Sequence, residues 1–490
     1  MKGFKAGMAG FLLFTTMAAQ ALTESMSLSK FASSGAGSTN WHASAPKKII
    51  PIATGYLVIG NDEVTSNATG YLTTGSTLYA LKLTSGLSRD TSYGTNGVQA
   101  LSLPAGYYYR LPDVHVLASG KFLVAAEAVM IDPPAEDTGE RLILAQFNAD
   151  TTPDTSFGSL GSVIVSMPCS GTSADVPSLA VQSTGKIVLT GTTRCAETGR
   201  AGFMTRFSAS GVRETGFGTS GYLLINPRST DTWLMQATID GDGRLLVAGE
   251  SARSDVDWTV DSFVSRITLG TTPQVDASFN TTGHRILAVG GADDAWATSL
   301  VMDGTKILVA SSIGSATGEA ALTRLLSTGA LDTSMGTTGT VLVSAGAYVD
   351  SYVLDIVRAG SGYYLIGALN NRRAIVKVTD AGALDTADAN FGASGYWRSS
   401  IGNASAYLSG VLHDGKLLAA GMSINSTGTA TEMENDLEDT SYVISSFSVT
   451  GDDSSTVVTE SSSSGGGSAD WLGLLLLGGL LAIRRRMSLR

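Results

Sequence analysis

Along the chain a basic or amide side chain repeatedly precedes an acid by eight residues: Lys82 and Asp90, Gln146 and Asp154, Arg206 and Glu214, Arg324 and Asp332, Lys377 and Asp385. Arg266 and Asp276 stand ten apart. A carboxylate beside a cation is material for acid–base chemistry. A catalytic group is needed once, however, so a pair that recurs throughout reads as one ion pair or turn cap per structural unit. The glycines that follow, Gly94, Gly158, Gly218, Gly336 and Gly392, read as turn positions requiring positive φ.

Other chemistry is sparse. There is no Gly-x-Ser-x-Gly elbow and no His-Glu-x-x-His, and the histidines His42, His115, His284 and His413 stand at non-equivalent positions, so no catalytic residue and no histidine metal site is assigned. Asp240-Gly241-Asp242-Gly243 has the opening of a calcium loop without its later bidentate glutamate, and it reads as a tight turn. Four segments, 61–77, 127–141, 250–261 and 425–439, hold sixteen acids, among them Asp62, Glu127 and Asp261, against Arg141 and Arg253. These form either a solvated acidic rim or, at Glu432, Glu434, Asp436, Glu438 and Asp439, a Ca²⁺ site; no other cofactor is expected. The formal net charge of −11 argues against a nucleic-acid groove.

These residues must be positioned by a repeat. A strand of the form Gly-Lys-apolar-Gly occurs seven times: GYLVIG, GKFLVAA, GKIVLTG, GRLLVAG, GTKILVAS, GYYLIG and GKLLAAG. A second apolar strand follows each, usually with one basic residue, as in YALKLT, FMTRFS and ALTRLL. Six copies then pass through an aromatic-Gly-x-x-Gly turn such as DTSYGTNG or DTSFGSLG, and two more short strands precede the next copy, as in GYLLIN and WLMQATID. In this register Leu28–Phe31 and Lys48–Ile52 are the first strands of the first repeat, with Trp41 where Trp233 and Trp296 stand later.

Four antiparallel strands cannot bury both faces alone, so the copies must stack, and radial closure leaves only short protected edges. The fold class is therefore all-β, a seven-bladed β-propeller of about 60-residue repeats, with an open β-repeat array as the alternative. The tight Gly-Lys and aromatic-Gly turns fall on one face, and loops of widely different length fall on the other, where binding specificity usually sits. Cys169 and Cys195 both fall on the variable face of one repeat.

ALDTSMGTTG (330–339) and DGDGRLLVAGE (240–250) resemble the delta-60 repeat family of bacteria. The resemblance covers about residues 25 to 450 and implies the repeat but no activity.

Both ends read as addresses. Lys2 and Lys5, the apolar Ala9–Thr16 and the small-x-small Ala19-Gln20-Ala21 form an export leader, residues 1–21. Export permits a Cys169–Cys195 disulfide. After the propeller, 22–454, come a Ser/Gly-rich linker, 455–470, and a short apolar helix with a basic end, 471–490. The thirteen apolar residues from Trp471 to Ile483 would span about 20 Å, short of a roughly 30 Å hydrocarbon core. Gly465-Gly466-Gly467, Trp471-Leu472 and Arg484-Arg485-Arg486 resemble the GlyGly-CTERM sorting tail of Gram-negative bacteria. That resemblance implies cleavage by a rhomboid-type protease, type II secretion, transient or lipid-mediated membrane attachment, and display at the cell surface or release. The alternative is an inner-membrane anchor with the body in the periplasm.

The expected partners are thus signal peptidase, the sorting protease, and a surface glycan, polymer or protein. The expected function is binding, with an extracellular glycan- or polymer-degrading enzyme as the alternative.

Overall fold

The computed structural model describes residues 24–29, 40–66, 72–134, 139–169, 175–195, 199–254, 259–291, 293–314, 319–343, 351–388, 391, 394–399, 404–424 and 440–449. Seven four-stranded antiparallel sheets form a seven-bladed propeller, and no α-helix occurs among the described residues. The inner strands are Asn40–Ile52, Tyr107–Val116, Asp175–Val181, Thr232–Ile239, Ala295–Asp303, Ser351–Arg358 and Ala404–His413, which define blades 1 to 7. The Gly-Lys segments supply the second strands, from Gly55–Ser66 in blade 1 to Lys416–Ile424 in blade 7. The basic-residue segments supply the third strands, from Leu72–Thr84 to Thr440–Ser448.

The outer strands show that the blades are offset by one strand from the repeat read in the sequence. The segment after each aromatic-Gly turn folds back on the strand before that turn: Leu223–Ile225 pairs with Gly199–Phe207 of blade 3, not with blade 4. Among the described residues blade 7 has no outer strand from the segment that follows its third strand. Glu24–Ser29 fills the place, pairing antiparallel with the third strand of blade 7 from Glu24 opposite Phe447 to Ser29 opposite Tyr442. One parallel bridge, Ala43 to Thr440, also joins blade 7 to blade 1.

Each blade junction has its own apolar core. Leu57, Ile59 and Leu78 of blade 1 meet Phe122, Val124 and Ile143 of blade 2. At the closing junction Leu418, Ala420 and Ile444 of blade 7 meet Val58 and Leu81 of blade 1. A strand with a core on both faces has no polar side, which explains the continuous apolar runs in place of alternation.

Inner strands run from the variable-loop face towards the tight turns. Trp41 pairs with Thr65 well before the inner-strand bulge, whereas Trp233 and Trp296 stand one residue ahead of the position where theirs begins; Ala45 is the blade 1 equivalent. The expected alignment of Trp41 is therefore corrected. The blade 1 inner strand extends further ahead of its bulge than the others do, and no turn beside Trp41 marks its register in the sequence.

Candidate functional site

On the turn face the repeated acids bind basic groups. Lys82 lies 2.9 Å from Asp90, and Arg206 from Glu214, Arg266 from Asp276 and Arg324 from Asp332 are each 2.8 Å apart. Two copies differ from the eight-residue expectation. Gln146 carries no charge, and Asp154 instead pairs with Lys121 at 2.7 Å. Lys377 reaches Asp388 at 3.6 Å, while Asp385 is held through its backbone N–H on the Lys377 carbonyl. The inserted residues of DTADANFG displace the acid that the shorter copies place there.

The Gly-Lys cation joins the same acids, Lys186 on Glu214 at 2.7 Å and Lys306 on Asp332 at 2.8 Å. The Lys306 and Ser334 hydrogen bonds hold the Asp332 carboxyl well below the usual carboxylate range. The acids also cap their own turns, as Asp276 does by accepting from Ser278 N–H at 3.0 Å.

The motif arginines also reach the next blade, Arg266 Nη1 by donating to the Ser327 carbonyl. Arg206 Nη1 donates to the Leu269 carbonyl at 2.6 Å, and Arg324 Nη1 to the Asp380 carbonyl at 2.5 Å. The buried turn residues Phe157, Phe217, Phe279 and Met335 plug the junctions. Gly94, Gly158, Gly218 and Gly336 all have φ between 52° and 60°, and Asn280 takes that conformation in blade 4. The recurring motif is thus engaged in its own turn and in the blade junction.

At the axis there is a feature that the sequence reading missed. An inner strand is an edge strand, with one row of backbone groups facing the channel. Every inner strand carries a register shift, and the residue after it is polar in all seven blades: Lys48, Asp113, Ser178, Gln236, Ser299, Asp355 and Ser409. Four of these side chains accept an edge N–H of the following blade. Leu179 donates to Asp113 Oδ2 at 2.8 Å, Ala237 to Ser178 Oγ at 3.1 Å, Leu300 to Gln236 Oε1 at 2.6 Å and Gly410 to Asp355 Oδ2 at 2.9 Å.

Where the preceding blade supplies no such cap, the aspartate caps its own strand. The Lys48 ammonium can donate but not accept, and Val114 N–H donates to Asp113 Oδ1 at 2.9 Å. Ser299 Oγ is buried without a protein partner, and Ile356 N–H donates to Asp355 Oδ1 at 2.8 Å. A legible signal was present: each ring residue stands four before the residue that opens the tight turn, as Gln236 does before Asp240 and Ser299 before Asp303.

The ring is electrostatically coupled. Burial pushes the Asp355 carboxyl up to about 7, against the opposing pull of the Gly410 N–H, Lys48, the Ile356 N–H and Lys47. Burial likewise lowers His115 to about 4, and it lowers Lys47, which feels Asp113 and Asp355. Both carboxylates have both oxygens hydrogen-bonded to backbone, so their first role is to join blades.

At the loop-face end of the inner strands, three residues before the ring, stand Trp233, Trp296 and Tyr352 in consecutive blades, all half-buried. The Arg200 guanidinium lies over the Trp233 ring, 5.3 Å from its centroid. The same position in blade 2 is Arg110, which grips the buried Glu127 through two hydrogen bonds of 2.6 and 3.2 Å.

Cys169 and Cys195 form a disulfide with Cα atoms 5.3 Å apart, tying the loop that enters blade 3 to the end of its second strand. The acidic rim is corrected in part. Glu127 is buried on Arg110, Asp261 is buried between Arg228 and Arg253 at 2.8 Å each, and Asp62 is buried. Asp240 caps its turn by accepting from Asp242 and Arg244 N–H groups. Among the described residues no three His, Cys, Asp or Glu side chains converge as metal ligands. Ala19, Ala21, Gly392, Glu432, Glu434, Asp436, Glu438, Asp439, Gly465, Gly466 and Gly467 lie outside the described residues.

No family model matches the chain, and no curated protein matches it. Among solved structures it is similar to a protein of unknown function from Dyadobacter fermentans, at 12% identity over 71% of this chain and 97% of that one, with a TM-score of 0.42. It is similar to an α-L-arabinanase of Penicillium chrysogenum at 11% identity, over 83% and 97% of the two chains, with a TM-score of 0.39. An α-L-arabinofuranosidase of Fusarium graminearum gives 10% identity over 70% and 94%, with a TM-score of 0.42. Identities and scores this low transfer no activity to this chain.

Proposed function

We propose that this chain is an exported binding propeller that takes a glycan or similar polymer at the loop-face mouth of its channel. The observation that carries this reading is the row of Trp233, Trp296 and Tyr352, in register on three consecutive inner strands and half-buried. Aromatic side chains fixed by a rigid scaffold and left partly open supply contact area at little entropic cost, and they dominate recognition surfaces. The uneven loops around them would set specificity. On this reading the leader delivers the chain across the inner membrane, and the glycine-rich tail is cut by a rhomboid-type sorting protease to give a surface-held or released form. The alternative is a glycan-degrading enzyme, which would need two carboxyl groups free to face a sugar bond.

Immobilised polysaccharides and cell-surface polymers, probed with the purified mature chain, test the reading. A retained polymer whose affinity falls about tenfold or more in Trp233→Ala/Trp296→Ala, with melting temperature unchanged, supports it. Retention indifferent to both substitutions, or no retention by any polymer, overturns the proposed mouth. Release of shorter sugars from the retained polymer would establish the enzymatic alternative.

A further inference from the structure

Blade 1 breaks the pattern of the axis twice. Inside the inner-strand register shift, where blades 4 to 7 place the buried Met235, Thr298, Leu354 and Leu408, blade 1 places Lys47. At the ring position that follows, where four blades supply an acceptor for the next edge, it places Lys48. Both lysines are half-buried. Their fields reach across the channel, since Asp355 of blade 6 feels both ammoniums and His115 of blade 2 feels Lys48. The flanking inner strands each add an orphaned polar atom: Ser409 Oγ, on the ring residue of blade 7, and His115 Nδ1 are buried without a protein partner. Cations set where the fold needs an apolar plug and a hydrogen-bond acceptor cost stability, and such local breaks of pattern concentrate at functional sites.

In a ring of seven blades, blades 4 and 5 lie across the axis from blade 1, so the lysines face the wall that carries Trp233 and Trp296. Along the strand the aromatic level stands two residues, about 7 Å, from that of Lys47, the depth of one sugar ring. We infer that the polymer taken at this mouth is acidic: a sugar ring stacks on the Trp233 and Trp296 side while its carboxylate turns to the Lys47 and Lys48 ammoniums, with Ser409 Oγ as a further donor. The inference rests on the binding reading above and deepens it. Pro46, Pro112 and Pro177 stand at the register shifts of blades 1 to 3 and present no N–H there, so an anion on that side is met by side chains. Asp113 and Asp355 are already held by backbone N–H groups at both oxygens. An ammonium has several donors, so each lysine can take a ligand carboxylate alongside a resident partner.

Polygalacturonate, alginate and hyaluronate are each immobilised beside the carboxyl-reduced form of the same polymer, so that the members of a pair differ in their carboxylates alone. The purified chain is compared with Trp233→Ala/Trp296→Ala and with Lys47→Met/Lys48→Gln, which gives blade 1 the Met235-Gln236 pair of blade 4 and so restores the plug and the cap. Should the double lysine variant unfold, Lys47→Met alone supplies the comparison. The expected result is an acidic polymer held about tenfold or more tighter than its reduced form, a pair brought within about twofold by the lysine variant, and about tenfold or more weaker retention in the tryptophan variant. A polymer held equally in both forms but lost in the tryptophan variant overturns the acidic ligand and leaves the mouth reading intact. A preference for the acidic form that survives in the lysine variant also overturns it, because the charge would be read elsewhere. No retention of any polymer, acidic or reduced, overturns both.

Discussion

At the scale of single residues, the ion pairs of the turn face and the polar ring of the axis differ in what each side chain has at stake. Arg324 is buried, and it holds Asp332, Ser334 and, across the junction, the Asp380 carbonyl. Arg324→Met keeps most of the stem volume but strands the carbonyl and leaves Asp332 to Lys306. It should destabilise the fold by about 3 kcal/mol in urea unfolding. At the axis, Asp355 and His115 oppose each other. The folded Asp355 keeps its proton up to about pH 7 against 3.8 for the free group, so its contribution to stability falls as pH rises through that window. Folded His115 stays neutral down to about pH 4 against 6.5 for the free group, so its contribution rises with pH between those values. The two contributions therefore offset each other between pH 4 and 6.5, and the wild type keeps the rise from His284, whose imidazole burial also holds below its free value. Asp355→Asn should expose a rise on the order of 3 kcal/mol over that range, and His115→Asn a fall of similar size. Parallel profiles for all three proteins would show that neither group carries the shift.

At the scale of elements, the bulge in each inner strand explains the glycine that ends many Gly-Lys strands. A side chain at Gly367 would run into the Tyr352 carbonyl oxygen, and one at Gly249 into that of Trp233. Gly367→Ala should cost more than about 3 kcal/mol, whereas Gly216→Ala, with open space around it, should stay within about 0.5 kcal/mol. Reducing the Cys169–Cys195 bridge, which spans 26 positions, should lower stability by about 3 kcal/mol without changing the circular dichroism spectrum.

The strands and turns were legible because Gly-Lys and Asp-x-Ser-aromatic-Gly recur, and repetition raises a weak local pattern above chance. The pairing partner of segments such as GYLLIN was not, because a strand after a tight turn carries no mark of the neighbour it will join. The ring was hidden for a related reason. One polar residue within an apolar run, such as Asp355 in SYVLDIVR, looks like a lapse of pattern until the bulge turns it towards the next blade's edge. The aromatic mouth was half visible: Trp233 and Trp296 stood out, while Tyr352 and the displaced Trp41 needed the register of the inner strands to sort them.

At the scale of the whole molecule, closure by Glu24–Ser29 places the two ends of the propeller side by side, since Glu24 pairs with Phe447 and the described chain stops at Val449. A ring of equivalent junctions has no physical beginning, so the position of the break should matter little once the ends are joined. A circular permutant tests this: Val449 joined to Glu24 through about six Gly/Ser residues, with new ends between Gly241 and Asp242 in the exposed turn of blade 4. The cut removes no strand and leaves Thr232–Ile239 opposite Leu245–Ala252 to close that blade by the pairing already present. The Asp240 cap on Arg244 is weakened, so the melting temperature should fall by no more than about 5 °C while unfolding remains a single transition. If the short linker prevents folding and one of about twenty residues restores it, the ends are not neighbours and the closing strand lies elsewhere. Folding with the short linker would instead fix blade 7 as the place where the chain ties itself shut.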